Sequence, residues 1–139
     1  MAEKIFQIEI ATPEKFRKYE NAVTCSAPGV LGRFQILFDH APFVSQMEIG
    51  ELRVDTSTEI LHFATSGGFI QVLDNKVLFL LDSCESSDEI DVQRAKEAKE
   101  RAKSRLEQRK EEIDHFRAKL AFSRALNRLK ISEKFSQRA

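Results

Sequence analysis

The run Glu89-Ile90-Asp91-Val92-Gln93-Arg94-Ala95 stands where a strand-like sequence gives way to a charged helical one. Arg124 and Arg128 follow on a second helical segment. If that segment folds back on the first, Arg94 comes near Arg124 and Arg128. Guanidinium groups make bidentate, charge-assisted hydrogen bonds to phosphate oxygens, so such a cluster has the chemistry to hold a polyphosphate. The same residues also fit a plain solvated helix, with Asp91 capping the first turn and Arg94 in a surface ion pair. The pattern by itself leaves both readings open.

No other residues assemble into a reactive set. His40 precedes Ala41-Pro42, but no Ser, Cys or acid lies at a spacing diagnostic of a nucleophile and its base. His62 and His115 lack ligand-spaced neighbours, so no metal is expected. Gly67-Gly68 is not followed by the Lys-Ser/Thr of a phosphate loop and reads as a close approach between strands. Cys25 and Cys84 are the only cysteines, in neither a metal nor a redox spacing, and are expected as reduced thiols of a cytoplasmic compartment. No enzymatic activity is expected.

The elements that would position the arginines come from two halves with different grammar. Residues 1–87 carry seven basic and twelve acidic side chains, while residues 88–139 carry fifteen basic and ten acidic. A basic half suits an acidic partner or a nucleotide. Nucleic acid is not expected, because eight of the eleven phenylalanines lie in the acidic half, whereas a single-strand binder interleaves aromatic and basic residues. The first residues show no signal peptide, and no apolar run approaches the ~18 residues that span a bilayer. Any membrane link is therefore expected to run through a partner.

All five glycines and three prolines lie at or before Gly68. They punctuate the short apolar segments 5–10, 34–37, 52–54, 60–63, 69–73 and 77–81, several with the two-residue alternation of half-buried strands. Asp74-Asn75-Lys76 reads as a tight hairpin turn. Short strands at this spacing predict an antiparallel sandwich or barrel, and two sheets closed face to face would also bury the phenylalanines.

No glycine or proline follows Gly68. Ser86-Ser87-Asp88-Glu89 fits a capping box with an acidic first turn. Ala95, Ala98, Ala102 and Leu106 then form one helical stripe, and Ile113, Phe116, Leu120, Ala121, Ala125 and Leu129 a second. Glu107 to Glu112 has no apolar anchor and reads as the bend of a hairpin. No turn residue enforces that bend, so the segment also fits one helix of about 40 residues and roughly 60 Å. The expected architecture is α+β, with an N-terminal antiparallel β-sandwich over 1–86 and a C-terminal two-helix hairpin over 87–139.

Four motifs in order resemble the epsilon subunit of the rotary ATP synthase, in its ATP-sensing bacterial form. These are Ala27-Pro28-Gly29-Val30-Leu31-Gly32-Arg33 with Asp39-His40-Ala41-Pro42, Ser66-Gly67-Gly68-Phe69-Ile70-Gln71-Val72, Ile90-Asp91-Val92-Gln93-Arg94-Ala95, and Arg124-Ala125-Leu126-Asn127-Arg128-Leu129. The likeness runs from about Ile5 to Phe135. It implies a central-stalk subunit of a proton-translocating ATP synthase, peripheral on the cytoplasmic face of a bacterial plasma membrane. Its partners would be the gamma subunit, the c-subunit ring and the beta and alpha subunits of the catalytic head. Membrane contact would come only through the complex.

By matching position, the resemblance implies that ATP is a regulatory ligand held by Glu85, Ile90, Asp91, Arg94, Ala95, Arg101, Arg117, Arg124 and Arg128. Bound ATP would keep the hairpin folded and permit hydrolysis; without it the hairpin would extend along gamma and block rotation. Ring or gamma contact falls to Gly29, Val30, Leu31, Gly32, Arg33, His40 and Pro42. This chain has Val30-Leu31 where the family often has Ser-Glu, Arg33 where an acid is frequent, and Phe38-Asp39 where Pro-Gly or Pro-Asn is common. A more apolar and basic contact is implied. The alternative from another class is a free-standing adapter, a β-sandwich with a coiled-coil arm and no nucleotide response.

Overall fold

The computed structural model describes residues 4–108 and 112–136, with the chain dividing between Glu85 and Ser86 into two compact units. The first unit is built on β1 (Phe6–Ala11), β2 (Phe16–Gly29), β3 (Gly32–Leu37), β4 (Phe43–Thr56), β5 (Ile60–Leu73), β6 (Lys76–Leu81) and β7 (Cys84–Ser86). Alternation drives the layering. In β1, Phe6, Ile8 and Ile10 are buried while Gln7, Glu9 and Ala11 are half-buried on the other face. In β6, Val77, Phe79 and Leu81 point inward. With Leu52, Val54, Phe63, Ile70 and Val72 they form one continuous apolar core.

Strand pairing runs β1-β6-β5-β4-β2, and β1 also pairs with β2, which closes a ring of five strands. β3 lies beside β2 and β7 beside β5. Every pairing whose register is resolved is antiparallel except β1 with β6. A closed ring of odd strand number cannot alternate direction all the way round, so one parallel pair is obligatory. The expected sandwich is thus present as a closed ring of strands, with one exception to its antiparallel order.

The fourteen-residue strands β2, β4 and β5 are longer than the sequence segments suggested. The first half of β2 pairs with β1 and its second half with β3, and bulges interrupt the ladders at Ala22/Thr24 and Ser26/Gly29. Bulges bend a strand and let it serve both layers. The turn between β5 and β6 falls at Asp74 and Asn75, both left-handed with φ of 51° and 60°. That is the primed turn which matches the twist of a hairpin. At Gly68, where φ is +140°, an added Cβ would sit on the backbone carbonyl and Cα of Leu80 and Leu81. The expected close approach between strands is therefore real, and only glycine fits it.

The second unit comprises α1 (Val92–Glu107) and α2 (Glu112–Phe135), which pack on each other. Residues 109–111, within the expected bend, lie outside the described residues. Two expectations need correction. Ser86 to Glu89 do not cap the helix: Ser86 ends β7, and the Glu89 N–H bonds to the Ser86 carbonyl in a turn. The N-cap is Asp91, in extended conformation, and no acidic side chain follows in the first turn. The stripe on α2 is met only in part: Ala125 is buried and Ala121 and Leu129 are half-buried as expected, and the side chain of Ile113 lies outside those described. Phe116 is 61% exposed and Leu120 is exposed too, while Ala118, Ala125 and Ile131 are buried. On α1 the buried residues are Ala95 and Ala102. Two helices approach more closely alanine to alanine than across a phenylalanine, so the small residues take the inner face. No helix among the described residues is long and apolar enough to cross a membrane.

Candidate functional site

The buried alanines set the depth of a groove between the helices. Its walls are Arg101, Ser104, Arg105 and Gln108 from α1 and Asp114, Arg117 and Arg124 from α2, and its floor is Ala118 and Ala121. The groove volume is about 680 Å³, within the range of small-molecule sites. Four guanidinium groups face one carboxylate, so the lining carries a net charge of +3. The spacing accounts for the convergence. Residues three and four apart share a helix face, as do residues seven apart. Arg101 and Arg105 are therefore neighbours on α1, and Arg117 and Arg124 align on α2.

Of the residues expected to hold a nucleotide, Arg101, Arg117 and Arg124 line this groove. Arg94 stands seven residues before Arg101 on the same face, about 10 Å up the helix axis, and is exposed. Arg128, half-buried, lies one turn beyond Arg124. Each helix thus carries a row of three arginines on one face. Asp91 receives the Arg94 backbone N–H at 3.0 Å on Oδ1. Ile90 and Ala95 are buried, and Glu85 lies in β7 of the other unit. Arg105 and Asp114 were not singled out from sequence. Their signal was present, since Arg105 follows Arg101 by four residues and Asp114 precedes Arg117 by three.

The residues of the β-unit expected to meet the ring or gamma occupy two places. Gly29 and Gly32 pair across a two-residue turn, and its tip residue Leu31 is 99% exposed. The Val30 N–H bonds to the Gln46 carbonyl at 3.1 Å. Arg33 is turned back onto the sheet, where its Nε donates to Ser26 Oγ at 3.1 Å and its Nη2 lies 3.6 Å from Glu51 Oε1. Glu51 also meets His62 Nδ1 at 3.0 Å. His40 and the exposed Pro42 lie in the loop between β3 and β4. The His40 Nδ1 is 2.7 Å from the Ala41 carbonyl, which can only accept, so that nitrogen carries a proton. Its ring meets Phe43 edge-on at 5.7 Å.

A further apolar surface escaped the sequence reading. Phe69 and Leu80 stand opposite each other on β5 and β6, both exposed, with Leu73 on the same face of β5 and Val44 exposed on β4. The signal lay in Phe69 and Leu73, apolar residues that flank Gln71 on one face of the strand. Strict alternation with one solvated face would have placed polar residues at 69 and 73.

A closed β-unit with exposed apolar surfaces, followed by an arginine-lined helical hairpin, defines the class of protein. The family model for the ATP synthase delta/epsilon chain β-sandwich domain matches residues 5–87, and that for its long α-helix domain matches residues 88–133. A relative from Syntrophomonas wolfei, named ATP synthase epsilon chain, is 47% identical over 135 residues, covering 96% of this chain and 98% of the relative. One of the same name from Geobacter sulfurreducens is 37% identical, covering 99% and 100%. Among solved structures, a chain of the Euglena gracilis mitochondrial ATP synthase superposes with a TM-score of 0.74 at 21% identity, covering 86% of this chain and 76% of that one. A chain from the Tetrahymena thermophila mitochondrial ATP synthase central stalk and c-ring gives 0.62 at 15% identity, covering 94% and 97%. The chain belongs to the ATP synthase delta/epsilon family and, within it, to the epsilon chains.

Proposed function

We propose that this chain is a non-catalytic regulatory subunit of the central stalk of a bacterial ATP synthase, joining the gamma subunit to the c-subunit ring, with an ATP-sensing hairpin. The observation that carries the sensing is the arginine groove, whose walls come from both helices. A polyphosphate seated there bridges α1 and α2 and is bound only while the hairpin is folded. Each charge-assisted bond contributes roughly 1.5–3 kcal/mol.

The net positive lining and the volume of the groove support this reading. Its alanine floor also explains why a ligand could decide the hairpin's state. A buried methyl-sized group contributes only about 0.8 kcal/mol, so an alanine interface holds the helices weakly. ATP then shifts folded against extended by its differential affinity for the two forms, tenfold for each 1.4 kcal/mol. Extended, the hairpin would present its basic rows to acidic surfaces of the catalytic head and oppose rotation in the hydrolysis direction.

The β-unit supplies the fixed contacts through the Leu31 turn, the His40–Pro42 loop and the Phe69–Leu80 face. Membrane attachment would be indirect, on the cytoplasmic side. The test is ATP hydrolysis by the complex reassembled with the native chain or with a triple charge reversal at Arg117, Arg124 and Arg128. Relief of inhibition at low ATP is expected, and unchanged inhibition would contradict the reading.

A further inference from the structure

The turn residue Asn75 makes more contacts than the turn requires. Its φ of 60° is one that glycine adopts without cost, so the backbone alone does not call for asparagine. Its side chain works in two directions. Oδ1 accepts the Asp39 backbone N–H at 2.8 Å, and Nδ2 donates to the Ile5 carbonyl at 2.9 Å. Its own carbonyl accepts the Gln7 N–H at 3.3 Å. One residue thus joins the β5–β6 turn, the start of β1 and the loop between β3 and β4.

Most of that loop is exposed to solvent. Phe38, Asp39, Ala41 and Pro42 are exposed, and Asp39 sits in the left-handed region with φ of 57°. A non-glycine residue held there needs its surroundings to fix it. The hairpin that bears Asn75 also carries the exposed Phe69, Leu73 and Leu80. The Asp39–Asn75 bond therefore links two of the exposed surfaces of the β-unit, the loop and the apolar face.

We infer that Asn75 is a positioning residue for partner docking. It locks the Phe38–Pro42 loop to the β5–β6 hairpin, so that the loop and the apolar face present one rigid surface. The docking half of this inference rests on the reading above that His40 and Pro42 make ring or gamma contact, taken here as contact with the ring.

The test uses the full chain carrying Asn75→Gly, which keeps the turn conformation but removes both side-chain bonds. Asn75→Asp keeps an acceptor for the Asp39 N–H and loses the donor. In the free chain, the Asp39 amide should exchange at least tenfold faster with Asn75→Gly and recover with Asn75→Asp, while the core amide of Val72 is unchanged. In the reassembled complex, proton pumping per ATP hydrolysed should fall with Asn75→Gly and recover with Asn75→Asp. Unchanged Asp39 exchange, or equal loss at Val72, overturns the lock. Faster Asp39 exchange with unaltered pumping overturns the docking role. A His40→Glu chain then separates the causes: if it lowers pumping, the ring-facing reading stands and Asn75 alone fails; if it does not, the ring-facing reading fails as well.

Discussion

The backbone N–H of Arg94 donates to Oδ1 of Asp91 at 3.0 Å, so the aspartate that could meet a nucleotide already starts the helix. One carboxylate oxygen is committed to the cap, and the other is available to a ligand. Replacing Asp91 with alanine should cost the helical unit about 1 kcal/mol, while asparagine, an equally good cap, should cost little. Amide exchange at Arg94 checks this, faster with Asp91→Ala and near-native with Asp91→Asn.

Gly68 lies against the Leu80 carbonyl and the Leu81 backbone, at a φ unsuited to other residues. Gly68→Ala forces two backbones apart in the ring of strands. Overpacking costs roughly 1–3 kcal/mol, and a strained backbone adds a similar amount. Thermal melting followed by circular dichroism should show a fall in midpoint of many degrees. Gly32→Ala, where an added Cβ meets no atom within 4 Å, should show a smaller fall that comes from backbone conformation alone.

Burial pushes the Cys25 thiol from its ordinary 9.0 up to about 12. The unfolded chain therefore releases this proton first as pH rises. The contribution to stability is fully present below pH 9 and is lost progressively between there and about pH 12. Burial of Tyr19 raises its pKa and acts with the same sign. Denaturant midpoints measured from pH 8 to 11 should fall, and fall less steeply in Cys25→Ala. Thiol reagents at neutral pH should leave Cys25 unmodified until the chain unfolds.

Arg105 extends the Arg101 row within the groove. Arg105→Ala should weaken ATP binding about tenfold, and Arg105→Lys should recover only part of it, because an ammonium is a point charge without the guanidinium fork. Binding measured at low and high salt should weaken with ionic strength, as exposed arginines require.

Much of the β-unit was readable because β1 alternates cleanly, because β6 is a short continuous apolar run, and because Asp74-Asn75 is a turn in its own right. β2 was not, since Arg17, Lys18 and Glu20 dominate its first half and Pro28 stands near its end. It becomes a strand because β1, β3 and β4 supply its hydrogen bonds, which no local pattern encodes. The helix start was misplaced for the opposite reason. Ser86 to Glu89 satisfy a capping pattern, but Ser86 is already part of β7. The arginines of the hairpin could be named from sequence, yet the helix face they share depends on which apolar residues turn inward. Phe116 and Leu120 looked like the inner stripe, and alanine took that place because it allows closer packing.

The central claim is that ATP is held between the two helices. Calorimetric titration of the full chain with ATP, beside an Arg101→Ala, Arg124→Ala double variant that removes one arginine from each wall, tests it most directly. Saturable binding to the native chain that is lost in the double variant is the predicted result. No binding to the native chain, or equal binding to both, would contradict it.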